Sequence, residues 1–429
     1  MIPFAKPLLG EEEAAAASEA ILSGWVMQGP KVKAFEDSFA SCVGSKYACA
    51  VSSCTSALHM ALQTVGVRPG DIVITVSHSF IATANSVRHC GAEPVFVDIE
   101  PDTFNMSADS LEKCLSEDCE VRDGKFYYRD VSRLAVGESP LRAFIDKGVD
   151  VTKSNIGRLA AVMPVHQLGM PCDLNAILQL AGKYNLPVVE DAACALGSEI
   201  NINGEWEKIG RPHGDIACFS FQTRKIITTG DGGMLTTNNA DYDKRFRLLR
   251  NHGMGSSSFE RHGINQVVIE QYLTTGYCYR MTDIQAAVGI EQLKKLDVML
   301  NNRKQAADLY REKLKEIAWL KTPQEPDYCR TNWQTYTLML QDNAPMSRDE
   351  LMQRLHSLGI ANRRGVMNAH EEPPYNSCKW GNLIHSEKVN RSSLLLPMSG
   401  SITIEQAEFV VNATKTIKNY SQHIKEVSP

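Results

Sequence analysis

The chain has 429 residues, 43% of them hydrophobic, and a formal net charge of −5 at neutral pH. A chain of this length can bury an ample core in one large and one small domain. Its negative charge argues against nucleic-acid binding, which needs a basic surface, and no apolar run is long enough to span a bilayer. The first residues contain neither a basic nor an apolar signal region, so we expect a soluble, cytoplasmic protein.

The first informative unit, within residues 48–62, is a strand that runs through a Ser/Thr-rich turn into an apolar helix. Free N–H groups and the positive end of the helix dipole make such a turn suitable for binding a phosphate group. The hydroxyls of Ser53 and Thr55 are equally well explained as N-caps of the helix. Further along, Phe80 follows a strand that begins near Asp71, where its ring either stacks on a ligand or fills the core.

A polar, charge-rich segment interrupts the pattern between Leu111 and Asn155. We interpret residues 112–155 as a surface insertion, with a hairpin turn at Asp123–Gly124 and Phe126 on the returning strand. Such an insertion either lines a ligand entrance or a subunit contact, or it is a surface excursion without function.

Two later segments place ionisable side chains at predicted strand ends. Residues 186–197 predict a buried strand that ends at Asp191, and residues 217–234 predict a strand that ends at Ser220, followed by Lys225 and a glycine-rich turn. Lysine is the side chain that binds pyridoxal phosphate covalently, and a strand-end carboxylate is the usual partner of its ring nitrogen. We expect partial desolvation to lower the pKa of Lys225. Taken singly, Asp191 is equally well a helix N-cap and Lys225 a solvated surface residue, but neighbouring strand ends bring both to one ligand.

The order of elements predicts an α/β fold with two domains. Strands alternate with helices from about residue 48 to 238, which is typical of a mostly parallel sheet. From Gln285 the pattern becomes helical, with a long helix predicted to reach Ile317. A strand over 334–340 follows, and Ser347 opens a helix that Gly359 ends. We predict a large domain over 1–284, with an N-terminal arm and the insertion, and a linking helix with a small α+β domain over 285–429.

The 12 cysteines are scattered, without a Cys-x-x-Cys pair, and many lie in apolar runs. They are typical of buried, reduced thiols, and no metal site is expected. Cys54, Cys194 and Cys278 are the candidates for a reactive thiol near the cofactor.

In their order along the chain, these segments resemble the DegT/StrS family of sugar aminotransferases over nearly the whole length. The resemblance implies the type I fold of pyridoxal-phosphate-dependent transferases, with pyridoxal 5'-phosphate as cofactor and Lys225 as the Schiff-base lysine and proton shuttle. It further implies that Asp191 pairs with the pyridinium nitrogen and that Phe80 stacks on the ring. Thr55, Ser56 and Ser220 would bind the phosphate. Further resembling segments are 2–10, 22–36, 91–98, 165–169, 250–253, 276–287, and Gly359–Ile360 followed by His370.

Three cysteines stand where the family commonly has other residues. Cys54 replaces a glycine of the phosphate turn, Cys194 replaces a glutamine that contacts the cofactor hydroxyl, and Cys278 replaces an asparagine that contacts the phosphate. Because a thiol is a weak hydrogen-bonding substitute, we expect weaker cofactor contacts at Cys194 and Cys278 but the same reaction type.

Family members are dimers with active sites at the subunit interface, so the resemblance implies a homodimer. The loop from Gly276 to Asp283 would then reach the partner's cofactor. Relatives that carry histidine in place of the lysine dehydrate sugars, whereas this chain keeps Lys225. A lysine can move the proton that full amino transfer requires, so transamination is favoured over dehydration.

The substrate is the least specified part of the resemblance. Arg363 and Arg364 either bind a nucleotide diphosphate or a sugar-acid carboxylate, or form a solvated pair. We expect an amino group, from glutamate, to be moved onto a nucleotide-linked keto sugar, for lipopolysaccharide, another cell-surface glycan or a secondary metabolite. The alternatives are a free keto sugar, including an oxidised octulosonic acid, and a non-catalytic regulatory protein that binds the cofactor. The candidate substrate contacts are Trp25, Gln28, His166, Arg280, Arg363 and His370.

Overall fold

The structure, a computed structural model, describes residues 1–150, 154–255, 269–378 and 380–427. Residues 151–153 of the predicted insertion therefore lie outside the described residues. The helices are α1 (Glu11–Leu22), α2 (Pro30–Val43), α3 (Cys54–Thr64), α4 (Ala82–His89), α5 (Ala108–Glu117), α6 (Val131–Leu134), α7 (Arg142–Ile145), α8 (Leu174–Lys183), α9 (Ala240–Arg250), α10 (Asp283–Lys294), α11 (Leu296–Leu314), α12 (Arg348–Ser357), α13 (Ile384–Ser392) and α14 (Ile404–Val427), with short 3-10 turns at Gln167–Gly169 and Ala369–Glu371. The strands are β1 (Tyr47–Val51), β2 (Ile72–Val76), β3 (Glu93–Val97), β4 (Cys119–Arg122), β5 (Lys125–Tyr128), β6 (Leu159–Val162), β7 (Val189–Asp191), β8 (Glu199–Ile202), β9 (Glu205–Lys208), β10 (Ile216–Ser220), β11 (Gly233–Thr237), β12 (Leu320–Lys321), β13 (Cys329–Arg330), β14 (Tyr336–Leu340), β15 (Arg363–Arg364) and β16 (Ser393–Leu396).

The central sheet is mostly parallel, as predicted. One part has the strand order β1-β11-β10-β7 and another the order β3-β2-β6. Parallel bridges from Val162 to Val188 and from Val165 to Asp191 join them. Only β11 runs antiparallel to its neighbours, β1 and β10. The strands are buried on both faces, which explains their nearly continuous apolar sequences.

Aromatic side chains of helix α2 pack against strand β10 and the residue that follows it. The Phe39 ring lies 5.1 Å from that of Phe219, and the Phe35 ring lies 5.3 Å from that of Phe221. The Phe39–Phe219 pair is edge-to-face and the Phe35–Phe221 pair is tilted, and aromatic contacts of this kind add to the burial energy of large rings. Since Phe221 follows β10 directly, this packing fixes the start of the loop that carries Lys225.

The hairpin inside the insertion is confirmed, but its surface position is only partly correct. Strands β4 and β5 pair around Asp123 and Gly124, both of which have positive φ angles of 48° and 71°. However, Tyr127 and Tyr128 are buried, and the Tyr128 backbone bonds to the carbonyl oxygen of Gly157. The returning strand therefore closes part of the core.

The predicted helical stretch after Gln285 is present, but it is not one helix, because it breaks at Lys295 into α10 and the 19-residue α11. Helix α10 packs on α1 and α2, whereas α11 packs on α14. The C-terminal sheet has the strand order β12-β14-β16-β15, and Ser347 forms the predicted capping box at α12. Within the described ranges, no helix is both long and apolar enough to cross a membrane.

Candidate active site

Strands β7 and β10 bring Asp191 and Lys225 to one end of the sheet. The two strands are parallel neighbours, with Cys218 opposite Asp191 in the register. The chain leaves β10 at Ser220 and turns, so that the Lys225 amine donates a hydrogen bond of 3.0 Å to the sulfur of Cys194. Cys194 itself follows Asp191 by one short turn. The predicted pairing of strand ends is therefore present in the fold.

Asp191 is a buried carboxylate, only 4% exposed, without an ion-pair partner among the described residues. Its Oδ2 accepts a hydrogen bond of 2.7 Å from the Thr83 hydroxyl, and its Oδ1 accepts one of 3.2 Å from the Ala193 amide. Burial raises the pKa of Asp191, although these hydrogen bonds and the charge of Lys225 act in the opposite direction. A carboxylate in this setting is suited to receive a cationic ligand group.

The expected lowering of the pKa of Lys225 is wrong for the cofactor-free chain. Burial does disfavour the charged amine, but contacts with Cys194 and Cys54 and the charge of Asp191 favour it more strongly. The pKa of Lys225 is therefore raised.

The turn before α3 has the form of an anion-binding site and also contains a helix cap. Ser53 is the N-cap, and its hydroxyl accepts a hydrogen bond of 3.1 Å from the Ser56 amide. The cap takes one amide, while the first-turn amides of Cys54 and Thr55 have no acceptor within the helix. Phosphate binding by this turn is therefore compatible with the cap and stays a prediction. Ser56 is buried and Thr55 is half-buried.

Phe80 and Ser220 complete the predicted cofactor contacts by position. Phe80 follows β2, and its side chain is 63% exposed, so the ring is not part of the core. It lies three residues before Thr83, which binds Asp191. Ser220 ends β10, and its hydroxyl accepts only a long bond of 3.4 Å from the Gln222 amide.

These residues fit pyridoxal phosphate. Asp191 would hold the ring nitrogen, the exposed Phe80 ring offers a stacking face, and the α3 turn with Ser220 would hold the phosphate. Lys225 lies within hydrogen-bond reach of Cys194, where the family residue would contact the ring hydroxyl. Of the three cysteines that replace family residues, Cys54 is buried beside this group and Cys278 is exposed on another loop.

His166 lies close to Asp191, whereas His370 contacts the residue that follows β2. His166 is fully buried, with one ring nitrogen 3.1 Å from Glu190 and the other accepting the Cys172 amide. These bonds tie His166 to β7 next to Asp191, and contact of His166 with the substrate stays a prediction. His370 is half-buried, and its Nδ1 lies 2.6 Å from the Ser77 hydroxyl.

Trp25 and Gln28 lie at the entry to helix α2. A Cβ at Gly29 would lie 2.9 Å from the Trp25 ring and 2.7 Å from the Asp283 carboxylate, so the indole covers this junction. The Gln28 Oε1 atom is buried without a hydrogen bond within the described chain. A role of Trp25 and Gln28 in substrate binding stays a prediction.

The loop that carries Cys278 and Arg280 runs beside the phosphate turn of its own chain. Arg280 bridges Val51, and the Ser52 amide donates to the Tyr279 carbonyl. The Arg280 guanidinium donates to Asn251 at 3.1 Å and to the exposed Cys278 sulfur at 3.5 Å. Contact of this loop with a partner subunit stays a prediction.

Four contributors to the site were missed by the sequence reasoning. Thr83 binds Asp191; Asn332 donates to the carbonyl of Cys194 at 2.7 Å; and Gln334 donates to the carbonyl of Arg224 at 2.5 Å. Arg224 lies next to Lys225, and its position beside the lysine was the only available signal. Asn332 and Gln334 approach from the C-terminal region, for which no local pattern exists.

Comparisons with known proteins agree with this geometry. The sequence model of the DegT/DnrJ/EryC1/StrS aminotransferase family matches residues 7–120 and 149–415, leaving most of the insertion unmatched. The chain is 34% identical to GDP-perosamine synthase of Caulobacter vibrioides over 417 residues, 96% of this chain and 97% of that protein. It is 32% identical to the spore coat polysaccharide biosynthesis protein SpsC of Bacillus subtilis, with 97% of each chain covered. The solved structure of the aminotransferase TlmJ from Streptoalloteichus hindustanus has a TM-score of 0.78 and 28% identity, covering 97% of this chain and 98% of that one.

Proposed function

The chain belongs to the DegT/DnrJ/EryC1/StrS aminotransferase family of pyridoxal-phosphate-dependent sugar aminotransferases, and we propose that it moves an amino group from glutamate onto a nucleotide-linked keto sugar. The predicted family, type I fold and cofactor are confirmed. The donor, the nucleotide linkage and the roles of individual residues belong to the proposal.

One observation carries the assignment of the site. A buried carboxylate without an ion-pair partner, Asp191, and an amine, Lys225, share one end of the sheet because β7 and β10 are parallel neighbours. When bound, pyridoxal phosphate supplies an electron sink for negative charge that develops on carbon. Asp191 would keep the ring nitrogen protonated, and Thr83 orients that carboxylate through its hydrogen bond.

Lys225 has the chemistry of a proton carrier. Among the described side chains of this loop, only that of Lys225 donates a hydrogen bond to Cys194. The sulfur therefore orients the amine. A primary amine held beside the reacting carbon can accept and return a proton, which amino transfer requires and dehydration alone does not. The lysine therefore supports the transaminase over the dehydratase.

A homodimer is part of the proposal. Large apolar side chains are exposed around the entry to α2 and on the loop after residue 268, and groups of exposed apolar side chains are typical of an interface. The exposed residues concerned are Ile21, Leu22, Val26, Met27, Ile269, Tyr272 and Leu273.

The first experiment adds L-glutamate to the purified holoprotein and records its visible absorbance. Loss of the absorbance of the lysine-bound cofactor supports the enzyme, whereas no change with any amino donor favours the regulatory binder. The aminated protein is then mixed with nucleotide-linked and free keto sugars, and the product masses identify the acceptor. Lys225→Ala should remove both the covalent cofactor and turnover; turnover retained in this variant would reject the assignment.

A further inference from the structure

Two arginines from distant parts of the chain lie near the loop that carries Lys225, close enough for their charges to interact. Arg224 precedes the lysine, and its carbonyl oxygen accepts a hydrogen bond from the Gln334 side chain. Gln334 lies just before β14, which pairs with β16, and Arg363 lies opposite Leu395 on the other side of β16. The pairing of β15 with β16 therefore places Arg363 in the C-terminal sheet. Gln334, just before β14 of the same sheet, contacts the loop that carries Lys225.

The electrostatics agree with this backbone geometry. Burial and the nearby Arg363 guanidinium both lower the pKa of Arg224, and Arg224 also interacts with Cys194. The Cys194 sulfur lies 3.0 Å from the Lys225 amine. Arg224 is also the residue directly before Lys225, so its side chain leaves the backbone one position away from the lysine whose amine takes part in the chemistry.

Near Lys225, arginine side chains outnumber the carboxylates that could form ion pairs with them. Among the described residues, no carboxylate forms an ion pair with Arg224, Arg363 or the nearby Arg303. Arg303 is 2% exposed, donates only to the carbonyls of Trp333 and Gln334, and burial lowers its pKa to about 10. Asp191 is the acidic group on the other side of Lys225. Arg224 and Arg363 are themselves exposed, and the Arg363 guanidinium lies 5.3 Å from the centre of the Phe4 ring. Cationic side chains without a carboxylate partner favour an anionic ligand.

We propose that Arg224 and Arg363 bind the carboxylate that sits on the amine-bearing carbon of the amino donor. This inference rests on the proposed aminotransferase function and adds its donor subsite. Arg363 was a substrate candidate from the sequence, whereas Arg224 is a new specificity-determining residue.

The position of Arg224 favours a donor carboxylate over a sugar diphosphate. The carboxylate of an amino acid is attached to the same carbon as the amine, so it must lie within a few bonds of the Lys225 nitrogen. A nucleotide diphosphate is separated from a reacting keto carbon by part of the sugar ring. Two guanidinium groups can each present paired N–H donors to the oxygens of one carboxylate.

Arg364 provides a matched control from the same strand. Successive residues of a strand point to opposite faces, and Arg364 lies 3.8 Å from Glu372 instead of facing Arg224. Arg364→Gln therefore removes the same charge from the same segment without touching the subsite.

The test measures donor binding in two ways on holoprotein. Single-turnover reactions with L-glutamate give its apparent Kd and maximal rate, and calorimetry measures binding of glutarate, a dicarboxylate without an amine. Arg224→Gln should weaken both affinities roughly tenfold or more, with the maximal rate largely kept, because one charged hydrogen bond is lost. Arg364→Gln should match the unmodified protein, and Arg224→Lys should recover part of the affinity. A donor without this carboxylate, 4-aminobutyrate, should bind weakly and respond little to Arg224→Gln.

Each other result overturns the inference. Unchanged glutamate and glutarate affinities in Arg224→Gln would remove the donor subsite. Weaker binding of pyridoxal phosphate itself would assign Arg224 to the cofactor phosphate, and a rise confined to the KM of the keto sugar would move the anion to the acceptor. If unmodified protein fails to react with glutamate at all, the proposed function fails, whereas glutarate calorimetry still decides the role of Arg224.

Discussion

Gly233→Ala tests how the phosphate turn is held in place. Gly233 opens β11 between β1 and β10, opposite Val51 and Ser220. A Cβ at this position would lie 2.5 Å from the carbonyl carbon and oxygen of Ser53 and 2.7 Å from the amide nitrogen of Cys54. Normal contacts between heavy atoms begin at about 3.5 Å, so the methyl group overlaps the backbone of the turn by about 1 Å.

The overlap cannot be relieved by rotating a side chain, because every atom it meets is backbone. We expect a loss of about 1–3 kcal/mol in the free energy of unfolding, as for other overpacked sites. We also expect a roughly tenfold to hundredfold loss of cofactor affinity, since the amides of the turn shift by a sizeable fraction of an ångström.

Urea unfolding of cofactor-free protein and titration with pyridoxal phosphate measure the two effects separately. Gly182→Ala is the control, because this glycine lies in α8 and a Cβ there meets no atom within 4 Å. It should raise the free energy of unfolding by about 0.5–1 kcal/mol and leave cofactor affinity unchanged. If Gly233→Ala kept both stability and affinity, the turn would not be supported by β11 and the reasoning would be refuted.

Three further predictions separate cofactor binding from stability. Asp191→Asn should weaken pyridoxal phosphate binding by about 2–5 kcal/mol in a cofactor titration, yet leave urea stability without cofactor at least equal, because burial already raises the pKa of that carboxyl group. Phe80→Ala should cost about 1 kcal/mol of cofactor binding by the same titration and nothing in unfolding, since the ring is 63% exposed. Glu36→Gln should lower the free energy of unfolding by about 3–5 kcal/mol at neutral pH, because it leaves Arg250 buried without its anion, while Arg247 keeps its ion pair with Asp243. Burial would raise the pKa of Glu36, but the two arginines hold it below its usual value, so unmodified protein should lose this stability as pH falls below about 4.5, with a shallower loss in the variant. If urea unfolding showed the same loss of free energy with falling pH in both proteins, the stabilising ion pairs of Glu36 would be contradicted.

The strand ends of the site could be predicted because buried parallel strands leave a strong signal. The apolar runs before Asp191 and Ser220 fix where β7 and β10 stop, and the register then brings Lys225 close to Asp191. The break at Lys295 left no such signal. Helical spacing continues through it, and the helix divides because α10 packs on one part of the molecule and α11 on another.

The contacts that hold the catalytic loop join residues far apart in sequence, so no local pattern encodes them. Asn332 and Gln334 are separated from Cys194 and Arg224 by more than a hundred residues, and both donate to backbone carbonyls, which any sequence would provide. Through these hydrogen bonds, the short stretch before β14 contacts both the segment around Cys194 and the segment around Arg224, which lie on either side of the Lys225 amine. The sheet containing β14 also carries Arg363, and thus one rigid element sets both the position of the reactive amine and the placement of the cation proposed to bind the donor. A change in the position of that sheet must therefore alter donor binding and amine geometry together.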